Sequence, residues 1–137
     1  MPSRKQVSQD KRQRVLKKYK NRCAYCGCQI TPSTMQIDHL VSLYRIGQEG
    51  IIMKKNGITN LMPSCKECNS YKGALDLEGF RKRMNTLMDK VRMSNIFNLV
   101  EKYGMVKTKI WDGKFYFEKI EEQRMNSKLA LIGTSKD

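Results

Sequence analysis

Eight residues could do chemistry. Two C-x-x-C pairs, Cys23-Ala24-Tyr25-Cys26 and Cys65-Lys66-Glu67-Cys68, flank the only histidine of the chain, His39, which directly follows Asp38. Asn60 precedes the second pair and Asn69 follows it directly. Each C-x-x-C pair can place two thiolates on one ion, and Zn²⁺ takes four such ligands tetrahedrally in a structural site. We assign Cys23, Cys26, Cys65 and Cys68 to structural zinc. A closed site of four thiolates leaves no open position for substrate, so this metal braces the fold. Its binding can supply folding free energy of about 10 kcal/mol. A redox-active pair is the alternative, but that chemistry needs no matching second pair. Cys28 is left over as a packing residue or a competitor for the metal; recurrence of the two-residue spacing favours packing. Histidine moves protons near neutral pH, with an ordinary pKa near ~6.5, so any imidazole acid–base chemistry falls to His39.

Composition narrows the partners. Across 137 residues, 27 basic side chains face 13 acidic ones, for a net charge of +14. Such an excess favours a polyanion, nucleic acid first. Basic residues are densest over Arg4–Arg22, where Asp10 is the only acid; that segment lacks the broad aromatic-bearing apolar face of a membrane-surface helix. There is no apolar run near ~18 residues and no apolar core of a secretory signal, so a cytoplasmic protein is expected. Inside the cell, paired cysteines are more often metal ligands than disulfides. The hydrophobic fraction of 39% is thin for an unaided core, which suits a metal staple. Length predicts one domain over 1–137.

The elements that must position these residues follow from local pattern. Ser8 predicts the N-cap of a basic helix from Gln9 to about Tyr19, with Val15, Leu16 and Tyr19 inward. Cys23–Cys28 reads as a knuckle turned at Gly27. Met35-Gln36-Ile37 alternates as a short strand ending at Asp38-His39. Residues 42–59 read as a loop punctuated by Gly47, Gly50 and Gly57, with Ile51, Ile52 and Met53 tacking it to the core. Asn60-Leu61-Met62 predicts a second strand, stopped by Pro63, and Ser64 a cap for a helix from Cys65. On that helix Cys65, Cys68, Asn69 and Lys72 share one face, so fixing zinc also fixes Asn69; Lys72 is a candidate phosphate contact. Asp76 predicts a further cap, followed by a packed stripe of Leu77, Phe80, Met84, Leu87, Met88 and Val91. Ser94 or Asn95 opens a helix ending at Gly104. Asp112-Gly113 predicts a β-hairpin of 105–111 with 114–120, and the chain from 121 is expected to be a loose tail.

The cysteine pairs stand much farther apart than the ~15–20 residues of a simple zinc ribbon, so something is inserted between the knuckles. C-x-x-C-G at Cys23–Gly27, Asp38-His39, Asn60-Leu61-Met62-Pro63-Ser64-Cys65 and Cys68-Asn69-Ser70-Tyr71-Lys72 together resemble the HNH endonucleases, the ββα-metal or His-Me finger nucleases. The resemblance covers residues 23–72; the basic first helix and Phe115 to Glu118 add to it weakly. It implies an α+β fold with a zinc-braced ββα-metal core over about 21–76. It implies a metal-dependent DNA endonuclease hydrolysing phosphodiesters, one site cutting one strand. His39 would be the general base, Asn60 would orient the segment that carries it, and Asp38 would ligate a catalytic Mg²⁺ or Mn²⁺. Asn69 would be the second ligand, standing where many relatives carry histidine: an HNN variant. Asp38 and His39 both serve one phosphate, although neighbours in a regular strand point to opposite faces; the pair is expected where the strand ends or bends.

Other readings remain open. A zinc-containing nucleic-acid-binding module without catalysis explains charge and cysteines equally, and only Asp38, His39 and Asn69 separate it from the nuclease. A metal-sensing or interaction protein leaves the charge unexplained. Double-strand cleavage would require a homodimer, a phage- or mobile-element-encoded partner, or two sequential nicks.

Overall fold

The computed structural model describes residues 7–41 and 57–134. Most of the expected 42–59 loop, including Gly47, Gly50 and Ile51 to Met53, lies outside the described residues.

The first helix, α1 (Gln9–Lys17), begins where the Ser8 side chain accepts from the Lys11 N–H, as a serine cap should. Val15, Leu16 and Tyr19 are buried. Two of its cations turn inward. Lys18 donates to the carbonyls of Ile58 and Leu61 at 2.9 and 2.8 Å, and Arg12 donates to the Met35 carbonyl at 3.1 Å. Arg14 and Lys17 remain exposed.

Strands β1 (Gln36–His39) and β2 (Leu61–Ser64) form an antiparallel pair in the register Gln36↔Ser64, Ile37↔Pro63, Asp38↔Met62, His39↔Leu61. Pro63 sits within β2 and does not stop it. Its carbonyl accepts from the Ala24 N–H at 2.8 Å, so its backbone polar positions face away from β1, where a missing N–H breaks no ladder bond. Ser64 likewise belongs to the strand and donates to the Gln36 carbonyl at 3.1 Å. The cap of α2 (Lys66–Lys72) is instead Cys65, whose sulfur accepts from the Cys68 N–H. The two strands with α2 across them make the small ββα unit.

Asp76 caps α3 (Leu77–Asn85) at 2.7 Å from the Gly79 nitrogen. The expected packed stripe is interrupted. Thr86 donates its hydroxyl to the Arg83 carbonyl, the kind of side-chain competition that ends a helix, and α4 (Leu87–Val91) restarts beyond it. Phe80 is buried and Leu77 and Met84 partly so, but Met88 and Val91 are exposed. Next, α5 (Asn95–Lys102) is capped by Ser94 and closed at Gly104. The Met105 and Gly104 N–H groups bond the carbonyls of Val100 and Glu101, a paired closure that needs the positive φ of Gly104, +73°.

No strand forms over 105–120. Asp112 accepts from the Lys114 nitrogen and makes a turn, but the chain then enters α6 (Tyr116–Thr134), so the expected hairpin does not form and the expected tail is helical as far as Thr134. Phe115 and Phe117 are buried. Phe80 stacks on Phe115 with centroids 4.9 Å apart, and Tyr25 meets Phe80 edge-on at 5.3 Å. The Tyr116 and Phe117 N–H groups bond the carbonyls of Tyr25 and Ala24, satisfying first-turn donors that a helix leaves open. Glu118 accepts from the Phe115 N–H and pairs with Arg81 of α3. The following Glu, Gln, Arg, Met, Lys, Leu and Ala residues favour helix.

Candidate metal and catalytic centre

The knuckle is shaped by its backbone. The Gly27 N–H bonds the Cys23 carbonyl and the Cys23 N–H bonds the Cys28 carbonyl. Gly27 has φ +80°, and a Cβ there would stand 2.9 Å from the Tyr116 ring, so glycine is required twice over. This turn and the start of α2 bring the sulfurs of Cys23, Cys26, Cys65 and Cys68 within 4.8 Å of one another. Cys26 and Cys65 are 3.9 Å apart, near the ~3.8 Å edge of a tetrahedron with Zn–S bonds of ~2.3 Å. The donors fit a structural zinc. Without a cation, four such thiols cannot all ionise. The hydrogen bond with Cys68 holds Cys23 low while raising Cys68, and burial pushes Cys65 up. Cys28, expected to pack, is exposed beside Cys26 and Cys65; the turn that uses its carbonyl leaves its side chain outside.

Asp38 and His39 are the last two residues of β1. The ladder runs through both and ends there, with a bend following at Leu40 and Val41, so the pair stands where the strand ends, as expected. Alternation puts Gln36 and Asp38 on the face that α2 covers, and Ile37 and His39 on the other. Asn60 is fully buried and holds the chain just beyond His39. Its Oδ1 accepts from the Val41 N–H at 2.8 Å, its Nδ2 donates to the Val41 carbonyl at 3.1 Å, and its own carbonyl accepts from the Leu40 N–H at 2.9 Å. The Asn60 N–H bonds the Gly57 carbonyl, so the residue also closes the loop.

Across β1, two residues of α2 meet two of the strand. The Asn69 Nδ2 donates to Gln36 Oε1 at 2.6 Å, which directs its Oδ1 away from Gln36. The Lys72 Nζ lies 3.0 Å from Asp38 Oδ2 and 3.1 Å from the His39 carbonyl. Lys72 is fully buried, so as placed it cannot be the surface phosphate contact that helical spacing suggested. Periodicity put it on the face of Cys65, Cys68 and Asn69, and that face looks into the fold. Tyr25, inside the first C-x-x-C, donates its hydroxyl to the same Asp38 oxygen. Burial, then the Asp38 charge, hold the Tyr25 hydroxyl far above the ordinary phenol range, which keeps it a donor. Spacing alone singled out neither Tyr25 nor Gln36. Their only signals were a place inside the knuckle and a two-residue offset from Asp38.

The oxygens of Asp38 and Asn69 are hard donors from two facing elements, the chemistry a Mg²⁺ or Mn²⁺ ion takes. Both buried charges at Asp38 and Lys72 are paired; removing either partner would cost about 3–5 kcal/mol.

The HNH endonuclease family model matches residues 23–75. Among solved structures, the chain is similar to the Type II-C Cas9 enzyme from Actinomyces naeslundii, with 25% identity and a TM-score of 0.45 over 59% of this chain and 9% of that one. The chain thus corresponds to a small part of that neighbour's length. No curated protein matches it significantly. Among the described residues, no helix is long and apolar enough to cross a membrane. The stretch that the family model matches is also the stretch that the four cysteines bring together, so residues 23–75 are similar to an HNH endonuclease domain.

Proposed function

We propose that the chain is a DNA endonuclease that nicks one strand by metal-dependent hydrolysis of a phosphodiester. His39 takes the proton from the attacking water at the end of β1. Asn60 holds the backbone beyond His39 and so orients the base. Asp38 from β1 and Asn69 from α2 hold the divalent cation, Mg²⁺ or Mn²⁺. When bound, that cation supplies Lewis-acid stabilisation of the phosphate and the leaving oxygen. Zinc on Cys23, Cys26, Cys65 and Cys68 keeps α2 in place and with it Asn69. The net charge of +14 supports DNA as the partner, and Arg14 and Lys17 of α1 are exposed cations suited to phosphate.

The observation that carries this reading is the double hydrogen bond of buried Asn60 to Val41, two residues past His39. A histidine of no consequence needs no such support. The test is nicking of supercoiled plasmid with Mg²⁺ or Mn²⁺. His39→Ala should lower the rate by about 10²–10⁴-fold, the usual contribution of a general base, with zinc content and melting temperature nearly unchanged. Equal rates would remove His39 as the base. DNA binding without cleavage in the wild type, over several metals and substrates, would favour the non-catalytic binding module.

A further inference from the structure

Among the described residues, Lys72 is the only basic side chain in the buried set. Its ammonium meets two oxygens, Asp38 Oδ2 at 3.0 Å and the His39 carbonyl at 3.1 Å. The same Asp38 oxygen takes the Tyr25 hydroxyl. The carboxylate that would ligate the catalytic cation is therefore already neutralised by a cation belonging to the fold.

We propose that Lys72 is an internal counter-cation for Asp38. It sits on the carboxylate when no divalent cation is present and competes with that cation for the same charge. Two cations on one carboxylate repel strongly where water is excluded. Lys72 thus keeps the site weak for the bare ion, while its grip on the His39 carbonyl ties the end of β1 to α2. A phosphate brought by DNA adds the negative charge that lets both cations stay, so ion and nucleic acid reinforce one another's binding, reciprocally. This rests on Asp38 being a ligand of the catalytic cation.

The test is Mn²⁺ binding by the zinc-loaded protein without DNA, followed by the electron paramagnetic resonance of the free ion. Asp38→Asn should weaken binding at least about tenfold. Lys72→Gln, which keeps a donor and removes the charge, should tighten it about tenfold, or about 1.4 kcal/mol. A merely structural lysine would loosen binding when replaced. Equal or weaker binding by Lys72→Gln, with the Asp38→Asn effect intact, overturns the counter-cation and leaves the nuclease reading standing. Binding indifferent to Asp38→Asn overturns both the assignment of Asp38 and the counter-cation.

Should Lys72→Gln fail to retain zinc, the wild type decides. In protein with ¹⁵N-labelled lysine, the slowly exchanging ammonium of buried Lys72 should shift as Mg²⁺ is added. A resonance that stays fixed while Mg²⁺ saturates the Asp38 site overturns the competition.

Discussion

Between Cys23 and Lys72 buried sulfur and polar side chains are committed to one another; from Leu87 to Ile110 no side chain is buried. In the first region a sulfur cluster, the Asp38–Lys72 pair, the Tyr25 hydroxyl and the Asn60 amide fix a sheet of two short strands. In the second, α5 has good caps at both ends yet leaves Ile96 at 77% and Leu99 at 56% exposure. The difference teaches that local signals suffice to write a helix but not to give it a place. The short strands hold their place because polar and sulfur contacts converge there from distant parts of the chain.

The comparison breaks most readily at the zinc. Cys65→Ser, or removal of zinc by a chelator, should unfold 23–75, since metal binding contributes about 10 kcal/mol to such folds. Hydrogen exchange should report loss of protection in β1 and β2 together with loss of zinc. Full zinc content and an unchanged melting temperature in Cys65→Ser would remove the premise that sulfur closes this region.

A smaller effect is expected from Asn60→Ala, about 2–3 kcal/mol by denaturant unfolding, because backbone groups at Val41 lose buried partners. Nicking should fall further than stability alone explains. Loss in strict proportion to the folded fraction would reduce Asn60 to a loop closure.

At the seam between α3 and α6, Glu118 joins Arg81 to the first turn of α6. Burial opposes its charge, but the Arg81 bond, the Phe115 N–H and the nearby cations hold its carboxyl below the usual range. A depressed folded-state pKa means that this stability is present above the unfolded value, near ~4.3, and is lost as pH falls through the folded one. Glu118→Gln should therefore cost about 1–2 kcal/mol at neutral pH and show a shallower acid dependence than wild type. Parallel acid curves for the two proteins would sink the assignment.

The smallest effect belongs to the exposed region. Leu99→Ser on α5 should change unfolding free energy by no more than about 0.5 kcal/mol in the isolated chain. A larger loss would mean that α5 is buried in solution, and would erase the contrast.

Much of the local structure was legible in the sequence. Ser8, Asp76 and Ser94 announced their helices because a cap needs only its own turn. The strand ending at His39 was readable from alternation over a few residues. The hairpin at Asp112-Gly113 failed for the converse reason. The turn is real, but the choice between strand and helix after it was made by Phe115 and Phe117 docking on the knuckle, where Tyr25 and Ala24 receive the first N–H groups of α6. No window around Gly113 contains that information. Pro63 misled similarly, since a proline ends a strand only where its N–H would have been used.

By itself, the sequence determined the two cysteine pairs, the charge, and the order Asp38-His39, Asn60, Asn69, since ligand type and spacing are properties of the chain. Only the tertiary structure decided what those residues face. Helical spacing placed Lys72 beside Asn69, but only the packing of α2 on β1 turned that face inward and set its ammonium on Asp38. Nothing in the C-x-x-C pattern aimed Tyr25 at the same carboxylate. A side chain's neighbours along the chain fix its direction relative to its own helix or strand; how that element packs against the rest decides whether it meets water, DNA or a buried charge.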